Sequence, residues 1–89
     1  MRVEVLFFGN HRELAGTARE VLSLKAGARL SSLFEKLAEI HGNELRGELA
    51  KKESLTVLVN GRHYGTLDGV ETILKNKDTV VILPIIFGG

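Results

Sequence analysis

The chain has 89 residues, of which 44% are hydrophobic and 26% charged, and its formal net charge is +1. That length holds one domain with a small core, and the near-neutral balance argues against a dedicated nucleic-acid binder, which carries a basic patch or stripe. There is no cysteine, so disulfides, thiolate metal sites and a cysteine nucleophile are excluded; the absence of a membrane-length apolar run or a signal-peptide layout predicts a cytoplasmic protein without membrane contact.

Residues 2–8 (RVEVLFF) alternate as a strand, with Val3, Val5 and Phe7 on one side and Glu4, Leu6 and Phe8 on the other. Gly9-Asn10 reads as a turn, and Arg12 to Gly16 (RELAG) as one helical turn stopped by glycine. Residues 18–24 resume strand alternation, with Val21 as the β-branched member, and are expected to pair antiparallel with the first strand. Leu30, Leu33, Phe34, Leu37 and Ile40 recur at helical spacing and predict an apolar stripe, with Glu35, Lys36 and Glu39 on the opposite face. Ser32 with Glu35 is a candidate capping box, Ser31 an equal candidate cap, and Gly42-Asn43 the stop.

The polar stretch 43–54 allows a short second helix through Leu45 and Leu49. Residues 55–60 (LTVLVN) form the next strand, and Asn60-Gly61 closes a hairpin onto a short strand at His63 and Tyr64. A helical turn is expected at Val70 to Leu74 and a tight turn at Asn76 to Asp78. The last strand, 79–83 (TVVIL), stops at Pro84. The order β, β, α, β, short β, β predicts an α+β fold. It is a β-grasp layout, a mixed four- to five-stranded sheet with one main helix packed on one face. The expected domain is 1–84, followed by a flexible tail, 85–89, outside the fold.

Two features point to chemistry. Gly88 and Gly89 carry no Cβ and can pass through a channel too narrow for side chains, presenting a carboxylate at the tip. A carboxylate is a poor electrophile until ATP adenylates it. This chain has no phosphate-cradling glycine loop, so a partner enzyme is expected to supply the ATP chemistry; no cofactor is expected on this chain. The second feature follows from alternation: Leu6, Phe8, Leu58, Val81 and Leu83 gather on the sheet face opposite the helix. One helix cannot cover both faces, and an apolar surface of this kind marks an interaction site. A register slip of one residue, or cover from 43–54, is the competing explanation.

His11, His41 and His63 lack metal-ligand spacing and read as exposed or loop histidines. Lys25, Lys36, Lys51, Lys52, Lys75 and Lys77 are conceivable conjugation acceptors but read better as solvated surface charge. Glu13, Glu20, Asp68 and Glu71 offer carboxylates with no inferable pocket, so independent catalysis is not expected.

Leu6 to Gly16 (LFFGNHRELAG), Val59 to Pro84 and the terminal glycine pair resemble the MoaD/ThiS family of ubiquitin-like sulfur carriers, in its molybdopterin-synthase small-subunit branch. The resemblance extends over nearly the whole chain, and RELAG, Lys75 to Asp78 and Gly88-Gly89 are its most specific elements. It implies adenylation of Gly89 by an E1-like adenylyltransferase, conversion to a thiocarboxylate, and sulfur donation inside a large molybdopterin-synthase subunit. It also implies a partner surface at Phe8, His63 and Leu83, and adds Phe87 beside the glycines as a partner contact. The ending, Pro84 to Gly89 (PIIFGG), lacks the branch's second proline and has bulky Phe87 where the branch has a small residue. Two other readings use the same features. One is a ubiquitin-like modifier joined through Gly89 to target lysines, or a carrier for tRNA thiolation or thiamin; the other is a binding module whose apolar patch acts with an inert tail.

Overall fold

The computed structural model describes residues 1–85. The expected tail therefore lies outside the described residues from Ile86 onward, including Phe87, Gly88 and Gly89. Five strands form one mixed sheet in the order β2-β1-β5-β3-β4. They are β1 (Arg2–Phe7), β2 (Arg19–Ser23), β3 (Leu55–Val59), β4 (Arg62–His63) and β5 (Thr79–Pro84). β1 pairs antiparallel with β2 and parallel with β5, and β3 pairs antiparallel with β4 and β5. Three helices join them: α1 (Gly9–Ala15), α2 (Leu30–His41) and α3 (Asn43–Ala50). The β-grasp architecture expected from the sequence is the one observed.

The alternation holds strand by strand. Val3, Val5, Phe7, Val57, Val59, Val80 and Ile82 are buried on the face that receives Leu30, Leu33 and Leu37 of α2. α3 is the short helix that 43–54 allowed, and its Leu45 and Leu49 complete the same core. Asn60 (φ 52°) and Gly61 (φ 83°) both take the left-handed region, the requirement of a two-residue hairpin turn. Asp78, buried at the start of β5, accepts from Asn60 Nδ2 at 2.8 Å and from the Lys75 N–H at 2.8 Å, tying that hairpin to the 75–78 turn.

Several expectations need correction. α1 begins at Gly9, so Gly9-Asn10 starts a seven-residue helix rather than a turn, although Gly16 (φ 73°) ends it as RELAG indicated. Neither Ser31 nor Ser32 is the N-cap of α2; Arg29 holds that position and Ser32 is the third residue of the helix. The helix starts at Leu30, and the Ser32 hydroxyl accepts from the Arg29 N–H at 3.3 Å. The α2 stripe does not reach Ile40, which is 48% exposed. At 100° per residue Ile40 sits about 70° from the stripe's centre, at its edge, and His41, about 30° from that centre, turns inward in its place. The turn expected at 70–74 is a single 3₁₀ turn at Gly69–Glu71; Ile73 then bridges to Arg29.

Candidate functional site

The root of the tail is fixed to the sheet. Pro84 lies opposite Leu55, and the Ile85 N–H donates to the Ser54 carbonyl at 3.2 Å. Across β1, Gly9 (φ 59°) opens α1 with its Cα against the Pro84 ring. A Cβ built there would come within 2.8 Å of Pro84 Cγ. The glycine thus meets two demands at once, a left-handed backbone and a close approach to the proline. Sequence reading took Gly9 for a turn residue and missed this seat, because nothing local announces that β5 returns beside β1.

The second part of the site is the uncovered sheet face. Leu6 lies opposite Val81, Val81 opposite Leu58, and Leu58 opposite His63. Leu6 is also opposite Arg19. One row therefore crosses all five strands, apolar at its centre with a basic side chain at each end. Leu83, opposite Thr56, extends the apolar area toward Pro84. Phe8 follows β1 on the same alternation, is 47% exposed, and its N–H donates to Ile82 at 3.2 Å. Leu6, Leu58, Val81 and Leu83 are half-buried. So the structure brings together Leu6, Phe8, Leu58, His63, Val81 and Leu83, on a face that α2 and α3 leave open. The register is the one assumed from the sequence, and α3 covers the opposite face, so neither competing explanation of the patch holds.

Val21 belongs to this face too, at 44% exposed opposite Glu4. The sequence marked it only as the β-branched residue of its strand. The missed signal was register: β2 buries Leu22, so Val21 must point outward.

The histidines depart from the expectation of exposed or loop residues. Only His63 is exposed, its Nδ1 accepting from the Gly65 N–H at 2.9 Å. His41 is half-buried, lies edge-on to Phe7, and its Nε2 meets Glu20 at 2.7 Å. His11 is 1% exposed, within α1, and its Nδ1 has no hydrogen-bond partner. Burial pushes the His11 pKa below its ordinary value, against the smaller opposing pull of Glu48 and the Phe8 backbone. The lowered pKa favours the neutral imidazole, which lies buried on the inner side of α1.

Among the described residues no group of three or more His, Asp or Glu side chains could hold a metal ion. The main surface hollows among the described residues are open, and none gathers a nucleophile, a base and an oxyanion donor. No described helix is long and apolar enough to cross a membrane. What the described residues provide is a rigid platform: an open apolar face leading to a pinned exit at Pro84 and Ile85.

Comparison with known proteins is consistent with that platform. A model of the ThiS family matches residues 5–89. Small archaeal modifier protein 3 of Haloferax volcanii is 33% identical over the whole of both chains. The solution structure of small archaeal modifier protein 1 from Methanosarcina acetivorans superposes with a TM-score of 0.78 at 29% identity, covering 99% of this chain and 96% of that one. Subunit 1 or 2 in the molybdopterin-converting factor complex of Helicobacter pylori matches with a TM-score of 0.66 at 26% identity, over 100% of both chains. These relatives are small modifier and converting-factor proteins.

Proposed function

This chain belongs to the ThiS family, and from that premise we propose that it is a sulfur carrier whose Gly89 carboxylate is activated by an E1-like adenylyltransferase. The single observation that carries the reading is that the family match runs through Gly88 and Gly89. In sequence they follow Pro84 and Ile85, where the end of β5 is pinned beside an open apolar face. In the proposed reaction the Gly89 carboxylate attacks the α-phosphorus of ATP bound by the partner, and pyrophosphate leaves. A hydrosulfide equivalent then attacks the acyl carbon and expels AMP, leaving a thiocarboxylate. The chain itself needs no cofactor; its part is to dock, extend and present.

The residues divide that labour. Leu6, Phe8, Leu58, Val81 and Leu83 form the surface that docks on the adenylyltransferase. The same surface serves a downstream acceptor, a molybdopterin-synthase large subunit in the reading we favour. Phe87, Gly88 and Gly89 are the segment that enters the partner's channel, where a side chain at position 88 would block threading.

A second reading rests on a specific observation: a modifier protein aligns with this chain over its full length at 33% identity. In that case the acyl-adenylate, or a thioester made from it, is attacked by a target lysine amine to give an isopeptide. Intact mass after incubation with the source organism's E1-like enzyme, ATP and a sulfur donor distinguishes them. A gain equal to one oxygen-to-sulfur exchange, absent when Gly89 is deleted, supports the carrier. No exchange, with lysine conjugates to Gly89 in the cell, supports the modifier. Neither product, with an enzyme active on another carrier, removes both.

A further inference from the structure

The backbone of β2 is only half used. The Leu24 N–H donates to Met1 at 2.8 Å and the Phe7 N–H to Ala18 at 2.9 Å, which sets the hydrogen-bonded pairs of this antiparallel ladder at 1 with 24 and 7 with 18. The even residues of β2 therefore point their backbone groups at β1. Arg19, Val21 and Ser23 point theirs outward, where β2 is the edge of the sheet. The Thr17 hydroxyl closes the first of these positions: it donates to the Arg19 carbonyl at 2.9 Å and accepts from the Arg19 N–H at 3.3 Å. Among the described residues, Val21 and Ser23 have no such cover. Their N–H and C=O groups make a free ladder edge, with the two residues separated by about 7 Å along the strand.

The surroundings of that edge select an occupant. Val21 projects on the open face, 44% exposed. On the other side, past Ser23, a hollow between β2 and α2 is lined by Leu24, Ala26 and Ala28, with Lys25 and Lys36 at its rim. Both lysines are exposed, and neither enters an ion pair among the described residues. We infer that the Val21–Ser23 edge accepts an extended acidic peptide from a partner protein as an additional strand. A β-branched residue of the peptide lies beside Val21, and its carboxylates lie over Lys25 and Lys36.

A second copy of this chain fits less well. The self-pairing that uses all the free groups places Val21 against Ser23 of the other copy, and that register sets Arg19 opposite Lys25 twice. Like charges opposed across a ladder are destabilising, whereas carboxylates meet unpaired cations there. The edge includes no residue of the terminal glycine pair, so it is present in a chain lacking Gly88-Gly89.

The test uses the full-length, isotope-labelled protein and a blocked synthetic peptide with a valine-isoleucine core followed by a run of aspartates. The expected result is that the Val21 and Ser23 amide signals move and their exchange with water slows, while those of Leu58 and Val81 stay put. N-methylation of alternate residues in the peptide should abolish binding. Lys25→Glu with Lys36→Glu should weaken it about tenfold or more. Val21→Pro removes an outward donor without touching the β1 ladder and should act similarly; the lysine variants decide the matter if the proline variant does not fold. Shifts centred on Leu58 and Val81, or undiminished binding of the N-methylated peptide, would overturn the proposal. Concentration-dependent protection of Val21 without peptide would instead assign the edge to self-association.

Discussion

The two faces of the sheet are made from the same kinds of residue and have different fates. On one, Val3, Val5, Val57, Val80 and Ile82 are fully buried beneath α2 and α3. On the other, Leu6, Leu58, Val81 and Leu83 are half-buried, and Phe8 and Val21 are close to half exposed. The difference is coverage rather than composition. α2 and α3 bring Leu30, Leu33, Leu37, Leu45 and Leu49 to the first face, and no described helix does the same for the second. Apolar side chains on the covered face stabilise the fold. Those on the open face contribute little to it and remain available to a partner, so stability and recognition can be altered separately.

The sharpest way to break that comparison is from the covered side. Leu37, 0% exposed at the centre of α2, should cost about 2–5 kcal/mol when changed to alanine, read as a fall in the urea midpoint. A negligible shift would mean that the two faces are not distinguished by burial energy. Next comes the exit of β5. Gly9→Ala must adopt a left-handed backbone and displace the Pro84 ring, for a cost of about 1–3 kcal/mol. Loading of the tail should slow as well, because the strand exit moves.

A smaller effect comes from His11. Its folded pKa is depressed below 6.5 by burial, so the unfolded chain binds the proton more readily. The stability associated with the neutral ring is complete above 6.5. It declines as pH falls below that value toward the folded pKa, then stays level. Denaturant titrations across this range should show that slope in the wild type and lose this part of it in His11→Leu. Equal pH dependence in both proteins would refute the assignment.

Much of this division was legible in the sequence, because period-two alternation in β1, β3 and β5 fixes which residues share a face once one side is buried. Leu6, Phe8, Leu58, Val81 and Leu83 follow from that rule alone. β2 was less readable: Arg19, Glu20 and Ser23 give alternation no apolar anchor, and Val21 drew attention away from Leu22. The ends of α2 also misled. A serine within the first turn resembles a cap even when, as Ser32 does, it reaches back to a helix begun earlier. His11 reads as exposed or loop because its spacing to the other histidines suggests no site; only the packing of α1 against α3 and β5 accounts for its burial. The Gly9–Pro84 contact joins residues distant in sequence, and local pattern contains no trace of it.

The comparison rests most directly on Leu58, at the centre of the five-strand row. Leu58→Asp removes a half-buried apolar side chain and should lower stability by about 1 kcal/mol, less than Leu37→Ala does, while abolishing the ATP-dependent mass change at the C-terminus. Normal loading of the folded variant would contradict the role of the open face. Loss of the fold would contradict the claim that this face contributes little to stability.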